Sequence, residues 1–145
     1  MMKSVNSSEL RKDFGVELDN VYENKIPLIV KKKIAGGTKD FFIISDDVML
    51  MMLKELKFNV YVTKEDSGDI ILEFKELELL SYGSTMEEAV QTLIQSINVY
   101  AEDYTKNIHL YFYSPNRSNH IIYLIKIWSM APEELHKSFN FIYES

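Results

Sequence analysis

Ser81-Tyr82-Gly83-Ser84-Thr85-Met86-Glu87-Glu88-Ala89 is the stretch whose reading decides the fold. Thr85 is a helix N-cap, and Glu88, three residues on, is its capping-box partner. Behind them Met86, Ala89, Val90, Leu93, Ile94, Ile97, Tyr100 and Tyr104 recur at helical spacing. They predict one long helix with a continuous apolar stripe. Upstream, Val60-Tyr61-Val62 and Ile70-Ile71-Leu72 read as strands joined by the turn Asp66-Ser67-Gly68-Asp69, the second continuing through Phe74. Leu77, Leu79 and Leu80 follow. Downstream, Ile108–Tyr113 reads as a further strand, Ser114-Pro115-Asn116-Arg117 as a turn, and His120–Met130 as an apolar helix. Pro132 opens a last helix near its first position.

Before Phe58 the character of the chain changes. Residues 1–57 carry 10 Lys+Arg against 9 Asp+Glu, a net +1, whereas residues 58–145 carry 6 against 13, a net −7. The first segment reads as extended lead, helix, strand, strand, helix. Lys3-Ser4-Val5 is the lead, Asn6 the cap and Glu9 its capping-box partner. Leu10, Phe14, Leu18, Val21 and Tyr22 give the helix one buried face, and Ile26-Pro27 ends it. Leu28-Ile29-Val30 is a strand running into a basic turn, Lys31-Lys32-Lys33. Ala35-Gly36-Gly37-Thr38 reverses the chain and Phe41–Ile44 returns. Ser45 caps a second helix, with Asp46 and Asp47 near its positive end. Val48 to Leu56 make that helix apolar on nearly every side, so it needs cover on every side. A module of 57 residues cannot supply that cover alone, which points to a homodimer or higher even oligomer. The expected interface is Val48, Met49, Met52, Leu53 and Leu56.

Composition narrows the chemistry. With 46% hydrophobic and 12% aromatic residues the chain can bury a core. Cysteine is absent, which excludes disulfides, thiolate metal sites and Cys nucleophiles. The apolar run Val48–Leu53 is too short to span a bilayer, and Met1–Ser8 has no signal-peptide core, so a cytoplasmic protein without a membrane partner is expected. His109, His120 and His136 have no i, i+4 spacing for a helical metal site, and each reads as an ordinary structural residue. Glu87 and Glu88 point in different directions on a helix. No catalytic residue, metal site or cofactor is expected, and the chain is read as a non-enzyme.

Two resemblances add to this. The runs Val5–Phe14, Ile26–Lys32 and Phe42–Ser45 resemble the Phd/YefM antitoxin fold over about residues 3–57. That family forms dimers whose leads and first helices dock on operator DNA. The resemblance thereby implies DNA contact by Lys3, Asn6, Ser7 and Arg11, with Lys31, Lys32 and Lys33 where the family carries a basic strand end. Asp66-Ser67-Gly68, Phe74, Leu77 and Ser81–Ala89 resemble the HicB-type antitoxin domain over about residues 60–104, which looks like a degenerate RNase H fold. Together they imply an α+β chain. Residues 1–57 form a YefM-like dimerisation and DNA-binding module. Residues 58–145 form a HicB-like sheet-plus-helix domain with C-terminal helices that binds a toxin. The implied function is a type II antitoxin that neutralises a basic cognate toxin and represses its own operon. The alternative is a protein-interaction adaptor built from the same folds that does not bind DNA.

Overall fold

The computed structural model describes residues 2–144; Met1 and Ser145, the outer bounds of the two expected modules, lie outside the described residues. The chain forms two compact units, Met1–Lys54 and Glu55–Ser145. Both mix helices with a small sheet, so the chain is α+β.

In the first unit β1 (Ser4–Asn6) leads into α1 (Ser7–Lys12) and α2 (Phe14–Asn24), followed by β2 (Leu28–Ile34), β3 (Gly37–Ile43) and α3 (Asp46–Met52). Asn6 caps α1 as expected: its Oδ1 accepts the Glu9 N–H at 2.8 Å, and its amide donates to the Glu9 carboxylate at 2.8 Å. The single helix expected here breaks at Asp13, whose φ of −117° ends α1. The break rotates the second half, and the expected apolar stripe does not survive. Val21 is buried, but Phe14 and Tyr22 face solvent, and Glu17 takes the inward position one turn before Val21. The unit's core is consequently small: Val5, Val21, Leu28 and Val30, with Leu10 and Ile43 against them.

β2 pairs parallel with β1 and antiparallel with β3, in the order β1-β2-β3. Lys31, Lys32 and Lys33 lie inside β2 and not in a turn, because the reversal is the two residues Ala35-Gly36 between the paired Ile34 and Gly37. Gly36 adopts φ +87°, which a side chain would strain. α3 ends at Met52, one turn short of the expected Leu56, and buries none of its residues. Leu53 is buried just beyond it, and Leu56 packs against the core of the second unit.

The second unit contains β4 (Phe58–Lys64), β5 (Ile70–Phe74), a short 3-10 turn at Lys75–Leu77, β6 (Leu79–Gly83) and α4 (Met86–Lys106). After them come α5 (Ile108–Tyr111), α6 (His120–Trp128), α7 (Pro132–Ser138) and β7 (Phe139–Tyr143). The sheet order is β6-β5-β4-β7, with β7 parallel to β4 and the other pairs antiparallel. Phe58, Val60, Val62, Leu72, Phe74 and Phe139 alternate onto one face, against Ala89, Val90, Leu93 and Ile97 of α4. Phe74 anchors this layer, with ring centroids 5.4 Å from Phe58 and 6.3 Å from Phe139. Two expectations are corrected. Ile108–Tyr113 is not a strand: the Asn107 carbonyl accepts the N–H groups of Leu110 and Tyr111, starting the helical turn α5. A strand also follows α7, because β7 finds its partner β4 some 80 residues upstream.

The β6–α4 junction is built from Ser81–Ala89. Thr85 Oγ1 accepts the Glu88 N–H at 3.1 Å, and the Glu88 carboxylate accepts from the Ser84 N–H and hydroxyl. The buried Ser81 hydroxyl donates to the Ala89 carbonyl at 2.8 Å. Gly83 lies against the same residue: a Cβ there would meet Ala89 N at 2.4 Å and Ala89 Cα at 2.9 Å. Both are backbone atoms, so the helix itself would have to move. Gly83→Ala is therefore expected to destabilise the second unit by about 1–3 kcal/mol, the usual cost of overpacking, with a lower urea midpoint at unchanged m-value. A midpoint equal to that of the wild type would show that the junction is slack.

Candidate functional site

The residues expected to meet DNA are distributed by the strand period. Leu28 and Val30 face the helices, so Lys32, two residues further, lies on that face, while Lys31 and Lys33 lie on the other. The pairing register then supplies partners. Lys31 lies opposite Asp40, with Nζ 3.5 Å from its carboxylate. Lys33 lies opposite Thr38, and Lys32 opposite Lys39. Like charges directly opposite in a ladder repel, and an anion between them removes that repulsion. Lys39 was missed from sequence, yet counting the two-residue turn at Ala35-Gly36 would have paired it with Lys32.

The lead and first helix are largely committed internally. Lys3 Nζ donates to Glu17 Oε1 at 2.6 Å, bracing β1 against α2 over a carboxylate that is almost wholly buried. The Asn6 side chain is spent on its cap, and Ser7 is half-buried at the start of α1. Arg11 is exposed in the last turn of α1 and, with Lys32, Lys33 and Lys39, makes no ion pair among the described residues. Among the described residues, Arg11, Lys32 and Lys33 of the expected set, with Lys39 opposite Lys32, carry charges that no ion pair engages.

Of the expected dimer contacts, Val48 and Met49 are half-buried, Leu53 is buried and Leu56 is occupied by the second unit's own core. Met52 alone stands out in solvent, at 70% exposure. Beside it in sequence Met51 is 74% exposed, and Phe41 and Phe42 are exposed on β3, an edge strand. The exposed apolar side chains of this unit thus include those of α3 and β3, besides Phe14, Val16 and Tyr22 of α2. Sequence could not separate these residues, because a helix apolar all round does not reveal which of its residues the fold covers.

The second unit holds a polar knot. His120 is buried, and its Nδ1 shares a hydrogen bond of 2.5 Å with the Tyr100 hydroxyl. Its Nε2 lies 4.0 Å from Glu78 Oε2. Arg117 lies over the rings of Tyr100 and Tyr111, and the Tyr111 hydroxyl donates to Asp103 at 2.8 Å. Burial pushes the Tyr100 phenol up to about 12 and holds the His120 imidazole below its ordinary value. Glu78 opposes the histidine shift and Arg117 adds to it. Among the described residues no group of three or more His, Cys, Asp or Glu could hold a metal ion, and no helix is long and apolar enough to cross a membrane.

A histidine held neutral in the fold makes the unfolded chain the better proton acceptor. Its contribution to stability is complete above pH 6.5 and is lost as pH falls from there towards its depressed folded value. Urea unfolding should accordingly show stability falling as pH is lowered below 6.5, and His120→Gln should flatten that slope. An unchanged slope in the variant would remove His120 as its source.

The PHD-like family, described as antitoxin of toxin–antitoxin, RelE/RelB, TA system, matches residues 1–139 of the chain. The chain is also similar to the crystal structure of an antitoxin part of a proposed toxin/antitoxin system from Syntrophomonas wolfei subsp. wolfei. That likeness has a TM-score of 0.84 and 26% identity, and covers 99% of this chain and 100% of the other. No curated protein matches the chain.

Proposed function

The chain belongs to the PHD-like family of toxin–antitoxin antitoxins and is not an enzyme, and from that premise we propose that it is a type II antitoxin working through two surfaces. The observation that carries this is the extent of the match, which runs through both compact units. The first unit, YefM-like, forms a homodimer and binds operator DNA to repress its own operon. The second, HicB-like, occupies a basic toxin by direct contact. Neutralisation is occlusion, with no bond made or broken.

Electrostatics support this division. Residues 55–145 hold 7 Lys+Arg against 14 Asp+Glu, a net −7, which suits a positively charged partner. In the first unit the Lys32–Lys39 pair, with Lys33 and Arg11, supplies cations without internal partners. Phosphates would relieve the repulsion between the paired ammonium groups. The exposed methionines of α3 and the edge strand β3 support the dimer reading, since so small a core is marginal without further burial. One observation favours the adaptor reading without DNA: Lys3, Asn6 and Lys31 are engaged inside the fold.

Titration of DNA from upstream of the gene at several salt concentrations separates the two readings. Each of Lys32→Ala and Lys39→Ala should lower the salt slope by about 1, while Lys31→Ala, already paired, should change it less. Identical slopes for all three would take the sheet out of the site, and no binding by the wild type would favour the adaptor. By sedimentation the wild type should be dimeric and Met51→Asp with Met52→Asp monomeric. A wild-type monomer at micromolar concentration would end the dimer proposal.

A further inference from the structure

β6 is the edge of its sheet, and its outer side pairs with no strand among the described residues. Edges of this kind are usually blunted by Lys or Pro, and Leu79–Gly83 contains neither. At the start of the strand lies an open groove of about 620 Å³, walled by Leu79 and by α4 from Thr92 to Asp103, Tyr100 included. The other flank of α4, at Gln91 and Ile94, faces α7 and β7, so this groove lies on the flank of α4 that meets the first residue of β6. Ser96 is small and Val99 is 68% exposed, which leaves room beside the strand. On the opposite face of the sheet Leu80 and Tyr82 are also exposed. A strand added at this edge would meet apolar contacts on both of its faces.

The groove has an acidic member. Asp103 lines it together with Leu79, and Glu78 directly precedes Leu79 in the chain. The Asp103 carboxylate is held in place by Tyr111 and Asn107. The Glu78 side chain is 65% exposed. No Lys or Arg lines the groove itself, and the nearest guanidinium described, Arg117, is taken up over the rings of Tyr100 and Tyr111.

We propose that the free edge of β6 takes up an extended segment of the toxin, whose backbone adds a fifth strand and whose Lys or Arg sits at Glu78 and Asp103. This rests on the reading of the second unit as the toxin-binding part. It is strand addition, in which main-chain hydrogen bonds supply affinity and the groove supplies selectivity. A second copy of this chain is the poorer occupant, since it would bring a second acidic unit against the first.

The test uses the full chain and, as probe, the small protein encoded beside its gene. In Gln95→Arg with Val99→Arg, two exposed positions gain bulk and positive charge. That variant should keep its far-UV spectrum and melting temperature but bind at least tenfold more weakly. Glu78→Lys, also exposed, should weaken binding and flatten its salt dependence. Amide exchange of residues 79–83 should slow in the wild-type complex. Equal binding by wild type and the double variant, with exchange at 79–83 unchanged, would overturn the groove while leaving the antitoxin reading intact. Failure of the wild type to bind would overturn both. Slowing at 79–83 with protein concentration alone would assign the edge to a second copy and overturn the proposal.

Discussion

The close approach of Gly83 to the backbone of Ala89 is the constraint on which the second unit depends. It lets α4 start directly above the strand that precedes it, with only Ser84 and Thr85 between them. Around this contact the local groups agree. Ser81 ties the strand to the Ala89 carbonyl, Thr85 satisfies an orphan helix N–H, and Glu88 reaches back to Ser84. With the first turn set in this way, the buried positions of α4 fall over Leu72 and Phe74 and on to Tyr104. Tyr104 then reaches the Arg117 carbonyl at 3.0 Å, which helps to set the loop leading to α6. One short junction thus propagates across the unit.

The two units differ in how their surfaces are spent. The second closes a core of many side chains and leaves a sheet edge and one flank of its long helix open. The first closes a core of only four buried apolar residues, braced by the Lys3–Glu17 pair. An almost wholly buried carboxylate is costly without its partner, so Lys3 acts there as a structural cation. The same small core leaves methionines and phenylalanines in water, and association would offset their exposure.

The caps at Asn6 and Thr85, the hairpin at Asp66–Asp69, the strands around Val60 and Ile71, and the long stripe of α4 could all be read from sequence. Each rests on contacts within a few residues, where spacing and side-chain chemistry decide. The absence of cysteine and the separation into a near-neutral and an acidic part are likewise properties of the chain alone. What the linear order could not carry was long-range. The break at Asp13 turned Phe14 and Tyr22 outward and Glu17 inward, because the small sheet covers only part of α2. Ile108–Tyr113 has strand-like composition, yet its N–H groups bond back to the Asn107 and Ile108 carbonyls and the helix restarts. β7 is a strand because β4 offers an edge some 80 residues away. The lysine run was visible at once, but the consequence of its placement was not. Only the pairing of β2 with β3 puts Lys32 against Lys39 and Lys31 against Asp40, because sheet register is a property of two segments and not of one.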